Sequence, residues 1–110
     1  MRIDVKGRKM AVSDDLRQRV EKRFDKVARQ VSPLAELEIE LSEDKTPRTA
    51  ETQIAVATLH LKGVTLRAQE SGSTPVSAIN KVADDLSRQV KRHREKRRGR
   101  RGNPRPATAS

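Results

Sequence analysis

The chain of 110 residues contains no cysteine, tryptophan or tyrosine, and Phe24 is its one phenylalanine. Without thiols there is no disulfide framework, zinc-thiolate site or thiol nucleophile. With a single aromatic, the base-stacking platforms of RRM and OB domains, which need exposed Phe, Tyr or Trp, are not expected. No apolar run is long enough to span a membrane, and no secretory apolar segment follows Met1. A cytoplasmic protein without a membrane partner is the expectation. Hydrophobic content is low at 33%. The apolar residues are concentrated before residue 91, which suffices for one small core.

Positive charge is what the chain has in excess: 25 Lys and Arg against 15 Asp and Glu, a net +10. Its distribution is uneven. From Arg88 to Arg105 ten bases stand against one acid, Glu95, a net +9. Residues 1–87 hold 15 bases and 14 acids. The chain is a nearly neutral body with a strongly basic C-terminal end.

Residues 2–6 alternate with period two and predict a short strand ended by Gly7. Ser13 is a helix N-cap, followed by Asp14 and Asp15 in the first turn. Leu16, Val20, Phe24, Val27 and Val31 form one apolar stripe and predict a helix of about four to five turns, closed by Ser32-Pro33. Residues 34–42 place Leu37, Ile39 and Leu41 on one face and Glu36, Glu38, Glu40 and Ser42 on the other, a half-buried strand. Glu43 to Arg48, with Pro47, reads as a polar loop. A strand over about 51–61 offers two faces; the Ala55, Ala57, Leu59, Leu61 face is taken as the core side. Lys62-Gly63 is the reversal into a strand over 64–70.

Thr74-Pro75 starts a second helix, with the stripe Ile79, Val82, Ala83, Leu86 and Val90. It is expected to continue to about Lys96 as a basic extension and to break at Gly99 and Gly102. Residues 1–98 are the expected folded domain and 99–110 a disordered basic tail or linker. The fold class is α+β, in the order β-α-β-β-β-α. A four-stranded mixed sheet would carry two helices packed on one face, with the first two strands parallel and the others antiparallel.

Few residues offer chemistry. His60 falls mid-hairpin and reads as a cross-strand residue; His93 falls near the apolar stripe beyond Val90 and reads as a helix-end residue. Glu36, Glu38 and Glu40 share a sheet face that could hold Mg²⁺, but a solvated face opposed by Arg2, Lys6 and Arg67 is the preferred reading. No Gly-rich phosphate loop or metal-ligand spacing is present. No enzyme activity, cofactor, metal or small-molecule substrate is expected.

On the first helix Asp15–Arg19 and Asp25–Arg29 are spaced to pair, leaving Lys22, Arg23 and Lys26 less compensated. Taken alone, that face suits solvent as well as RNA. On the second helix Asp84 and Asp85 are expected to pair with Lys81 and Arg88. Beyond Val90, Lys91 to Arg98 has six bases against one acid, where a solvated helix face would mix its signs. The segment lacks the exposed Leu, Phe or Trp of membrane-binding basic helices, so a nucleic-acid partner is preferred. The absence of a helix-turn-helix pattern favours RNA over DNA. A general double-stranded-RNA binder and a basic adaptor for an acidic protein partner are the alternatives.

Several co-linear segments resemble the ribosome hibernation-promoting factors, also called ribosome-associated translation inhibitors. They are Ile3-Asp-Val-Lys-Gly-Arg8, Val12-Ser-Asp-Asp-Leu-Arg17, Val20-Glu-Lys-Arg-Phe24-Asp-Lys26 and Ala57-Thr-Leu-His-Leu-Lys-Gly63. Leu66-Arg-Ala-Gln-Glu70 and the run from Ala78 to His93 complete the set, which covers about residues 1–97. The resemblance implies a fold similar in shape to double-stranded-RNA-binding domains. It implies a monomeric, non-enzymatic partner of the small ribosomal subunit and its rRNA, occupying the channel of mRNA and tRNA. Carried over by position, the rRNA-binding residues are Lys22, Lys26, Arg88, Lys91, Arg92 and Arg94; Lys96, Arg97 and Arg98 extend the run. Long members add a C-terminal domain that pairs two ribosomes. Here Gly102 to Ser110 looks like the start of a linker to it, so the resemblance is to a short form or to the N-terminal domain of a long one.

Overall fold

Period-two alternation in four segments and period-3.6 stripes in two produce the elements of the computed structural model, which describes residues 1–44 and 50–102, with side chains up to Lys96. The order is β1 (Arg2–Gly7), α1 (Asp14–Arg23), α2 (Asp25–Ala28), β2 (Glu36–Glu43), β3 (Gln53–Leu61), β4 (Val64–Gly72) and α3 (Pro75–Gly102). The sheet runs β1-β2-β3-β4, with β1 and β2 parallel and the other two pairings antiparallel. Strand ends differ from the sequence expectation by one or two residues. The predicted loop over Glu43 to Arg48 falls mainly on residues 45–49, outside the described residues.

Register places the small and branched side chains of all four strands in shared rows. Val5 lies beside Ile39, Ile39 beside Ala57, and Ala57 beside Ala68. The helices cover this face with Val20, Phe24, Val27, Ile79, Val82, Leu86 and Val90, all fully or almost fully buried. The Ala55, Ala57, Leu59 side of β3 is the core side, and the other side, with Ile54 and Val56, is half-exposed. No polar side chain is buried among the described residues. Hydrophobic burial therefore carries the fold, without buried ion pairs.

Local chemistry sets the helix starts. The Ser13 hydroxyl accepts from the Leu16 N–H at 3.1 Å, and the Thr74 hydroxyl accepts from the Ser77 N–H at 3.0 Å. Each satisfies one of the donors that a helix N-terminus leaves free. Gly63 has φ +79°, the left-handed conformation that the two-residue turn between β3 and β4 demands. Gly72 is needed for space: a Cβ there would lie 2.7 Å from both the Ala78 nitrogen and the Ser77 hydroxyl, where β4 passes the start of α3.

Two helix expectations are corrected. The first stripe is not one helix of four to five turns. It divides at Phe24 (φ −93°, ψ 4°) into ten-residue α1 and four-residue α2. Hydrogen bonds run across the joint, from the Phe24 N–H to Val20 and from the Ala28 N–H to Phe24, both 2.9 Å. The altered ψ interrupts the helix while Val20, Phe24 and Val27 all stay buried. Helix α2 then stops at Ala28, before the half-buried Val31.

The second correction concerns α3, which continues through Gly99 to Gly102. A helical glycine costs only about 1 kcal/mol relative to alanine, which need not end a helix already anchored over four buried turns. The helix thus crosses the expected domain boundary at residue 98, while residues 103–110 lie outside the described residues.

Candidate nucleic-acid interface

Helix α3 changes character at Val90. Up to that point every third or fourth side chain enters the core; beyond it Lys91, Arg92, Arg94 and Lys96 are exposed. Arg88 is exposed one turn earlier, and Lys22 and Lys26 are exposed on α1 and α2. Arg97 and Arg98 belong to α3, but their side chains lie outside those described.

The acids of α3 do not pair as the spacing suggests. Asp84 binds Arg23 of α1 at 3.2 Å, not Arg88. Lys81 reaches across to β4 and the segment before β3, donating to Glu51 at 2.7 Å and to the Ser71 carbonyl at 3.0 Å. Asp85 accepts from Gln89 at 3.3 Å, and the same amide donates to the Arg67 carbonyl at 2.9 Å. Tertiary neighbours win for a physical reason. Lys81–Asp85 has the weaker base-first order, and even the acid-first Asp84–Arg88 spacing is worth only about 0.2–0.5 kcal/mol, which a tertiary partner can outweigh. On the first helical segment Asp25–Arg29 forms at 2.7 Å, whereas Asp15 and Arg19 form no ion pair among the described residues.

The result is a set of cations without a contact ion pair, of which Arg88 still feels the nearby Glu70 carboxylate. Lys22, Lys26, Arg88, Lys91, Arg92 and Lys96 make no ion pair among the described residues. Two contacts set the helical segments that carry them side by side. The Arg23–Asp84 bridge ties the end of α1 to α3, and Arg94 donates to the Gln30 side-chain oxygen at 3.3 Å just past α2. Lys26 lies between these ties on one segment, and Arg88, Lys91 and Arg92 lie between them on the other. Such a surface suits a phosphate chain, which brings negative charge at regular spacing.

Electrostatics also mark the α3–β4 contact. Partial burial holds the Glu70 carboxyl above the usual range, and a hydrogen bond and charge repulsion from Asp85 add to this; Lys81 and Arg88 oppose it. A carboxyl raised in the folded state favours folding when protonated, and that contribution is lost as pH rises through its folded pKa. Glu70→Gln should therefore raise the melting temperature slightly at pH 7, within the roughly 0.5 kcal/mol typical of surface changes. The difference should close as pH falls below the carboxylate range. Thermal melts at pH 7 and pH 3.5 measure this. Glu51 is the opposite case, held low by its hydrogen bond to Lys81.

The uncovered sheet face carries Glu36, Glu38 and Glu40 beside Arg2, Asp4 and Lys6 in register. Glu38 contacts His60 Nε2 at 3.2 Å. No cluster of three metal-ligating side chains forms among the described residues.

One site was not legible in the sequence. His60 and His93, which spacing assigns to unrelated elements, line the same cavity of about 620 Å³. It is bounded by residues 30–36, the β3–β4 turn and residues 90–94 of α3. Arg94 lines it too, so the cavity adjoins the cationic helix end.

No helix among the described residues is long and apolar enough to cross a membrane. A family model described as Sigma 54 modulation protein / S30EA ribosomal protein matches residues 3–98. The ribosome hibernation promoting factor of Azotobacter vinelandii is 29% identical over 107 residues, spanning 97% of this chain and 95% of that protein. That of Acinetobacter guillouiae is 26% identical over 100 residues, 86% of this chain and 88% of its own length. Among solved structures, the Thermus thermophilus Protein Y N-terminal domain matches with a TM-score of 0.71 at 26% identity, covering 84% of this chain and 99% of that one. A ribosomal subunit interface protein from Coxiella burnetii shares the fold, with a TM-score of 0.68 at 19% identity over 86% of this chain and 99% of that one. With nearly its whole folded length matched, the chain belongs to the Sigma 54 modulation protein / S30EA ribosomal protein family, in which its relatives are the ribosome hibernation promoting factors.

Proposed function

We propose that this protein is a ribosome-associated hibernation factor that acts without catalysis, by occupying the mRNA and tRNA channel of the small subunit. The observation that carries the reading is the row of cations without a contact ion pair among the described residues, Arg88, Lys91 and Arg92, at the exposed end of a helix whose earlier turns are anchored in the core. Lys22 and Lys26 join them from the neighbouring segment, and Arg94 and Lys96 continue the row towards Arg97 and Arg98. In this reading these side chains grip rRNA phosphates, and the sheet with its helices is the wedge that keeps mRNA and tRNA out. The preformed helix serves the mechanism, because its backbone need not be ordered on docking and only the side chains lose freedom.

The protein is expected to sediment with purified small ribosomal subunits at low salt and to be released at high salt, since phosphate contacts displace counterions. Failure to co-sediment at low salt would overturn the reading. Binding that survives nuclease digestion of the rRNA would instead assign the charge to a protein partner.

A further inference from the structure

The cavity lined by His60, His93 and Arg94 has features that a phosphate grip does not explain. Its mouth holds Leu34, the one exposed large hydrophobic among the described residues, at 89% exposure. Leu61 and Val90 add apolar wall, while His60, His93 and Arg94 bring flat polar groups. Phe24 is fully buried, so these two imidazoles are the only other aromatic rings in the chain. Its volume, about 620 Å³, lies within the roughly 300–1,000 Å³ typical of ligand pockets.

We propose that this cavity receives one unstacked nucleotide of the RNA strand whose phosphates α3 holds. This rests on the reading of the protein as an rRNA binder and adds a base-recognition site to it. Unpaired bases are recognised by stacking on His, other aromatic rings or the Arg guanidinium plane, and by hydrogen bonds to their edges. The base lies against Leu34 and the half-buried Leu61, beside the two imidazoles. Its phosphate meets Arg94 and Lys62, two cations against the single carboxylate of Glu36 among the lining residues. Arg94 belongs both to the cationic row and to the cavity, and its guanidinium is steadied by Gln30 at 3.3 Å. Lys91, one turn before Arg94 on the same helix, is the nearest of the cationic row in sequence to hold the adjoining phosphate.

Two measurements on the full chain test this. In a titration with a single-stranded RNA hexamer, the ring signals of His60 and His93 should shift together and saturably. Shifts confined to the backbone around Lys91 and Arg92 would overturn the proposal. Equal affinity for a nucleoside monophosphate would assign the site to a free nucleotide, which also overturns it. In small-subunit binding, His93→Ala should weaken affinity about tenfold, the scale of one lost base stack, with the salt slope unchanged. His93→Phe, which keeps a flat ring, should restore most of it. A slope change of about one unit would make His93 a phosphate contact and exclude base stacking. If the wild-type protein does not bind subunits at all, the ribosomal reading fails, while the hexamer titration still decides the cavity.

Discussion

Replacing Arg88, Lys91 and Arg92 together by alanine is expected to lower affinity for small ribosomal subunits roughly a hundredfold at 0.1 M salt and to leave little difference at 1 M. Each neutralised phosphate contributes about 0.7 to the salt slope in single-stranded nucleic acid and about 0.9 in duplex. Three lost contacts should therefore flatten the plot of log affinity against log salt by about two to three units. The fold should survive, because all three side chains are exposed and none forms an ion pair among the described residues. Arg23 and Lys81 provide the contrast. Their charges are already met by Asp84 and Glu51, so replacing them should change the slope little. A triple variant with an unchanged slope would move the phosphate contacts to another surface. Filter binding or sedimentation over a series of salt concentrations at constant Mg²⁺ gives the answer.

Phe24→Ala should be the most damaging single core substitution, at about 3–5 kcal/mol. For a domain of this size that corresponds to a fall of roughly 15–30 °C in melting temperature. The ring is fully buried at the joint between α1 and α2, amid the core cluster. As the only large aromatic in the chain it has no neighbour of similar volume to move into the hole. The consequence reaches the cationic surface. Arg23 and Asp25 flank Phe24, and the Arg23–Asp84 bridge aligns α1 with α3. The damaged protein should also bind subunits less tightly, with a salt slope close to that of the wild type in the fraction that remains folded. Phe24→Leu, which keeps most of the volume, should cost about 1–2 kcal/mol. Thermal and urea unfolding of both variants measure these costs. An alanine variant within 1 kcal/mol of the wild type would contradict this account of the joint.

Elements and caps were readable wherever their causes are local. Strict alternation over Glu36 to Ser42 needs only the pleat of a strand, and Ser13 and Thr74 cap through a contact three residues away. The choice of face on β3 was harder, because Ile54 and Val56 are as apolar as Ala55 and Ala57. Pairing settled it: Ala57 sits between Ile39 and Ala68, beneath helices whose approach favours small side chains. The division at Phe24 was hidden because the apolar stripe passes through it without a change of period. The helical path through Gly99 was hidden because glycine weakens a helix without forbidding it.

The sequence by itself determined the order of the elements, the buried faces of β2 and of the helices, and that the charge collects where the apolar stripe of α3 stops. These follow from periodicity and composition, which act over one or two turns. Only the tertiary structure decided which bases are free and which histidines meet. Asp84 turns to Arg23, 61 positions away, and Arg94 to Gln30, 64 positions away. Ion-pair choice depends on proximity in space, and no spacing rule contains it. The same holds for His60 and His93. Strand pairing and the docking of α3 bring them to one cavity, although each alone is an ordinary surface residue.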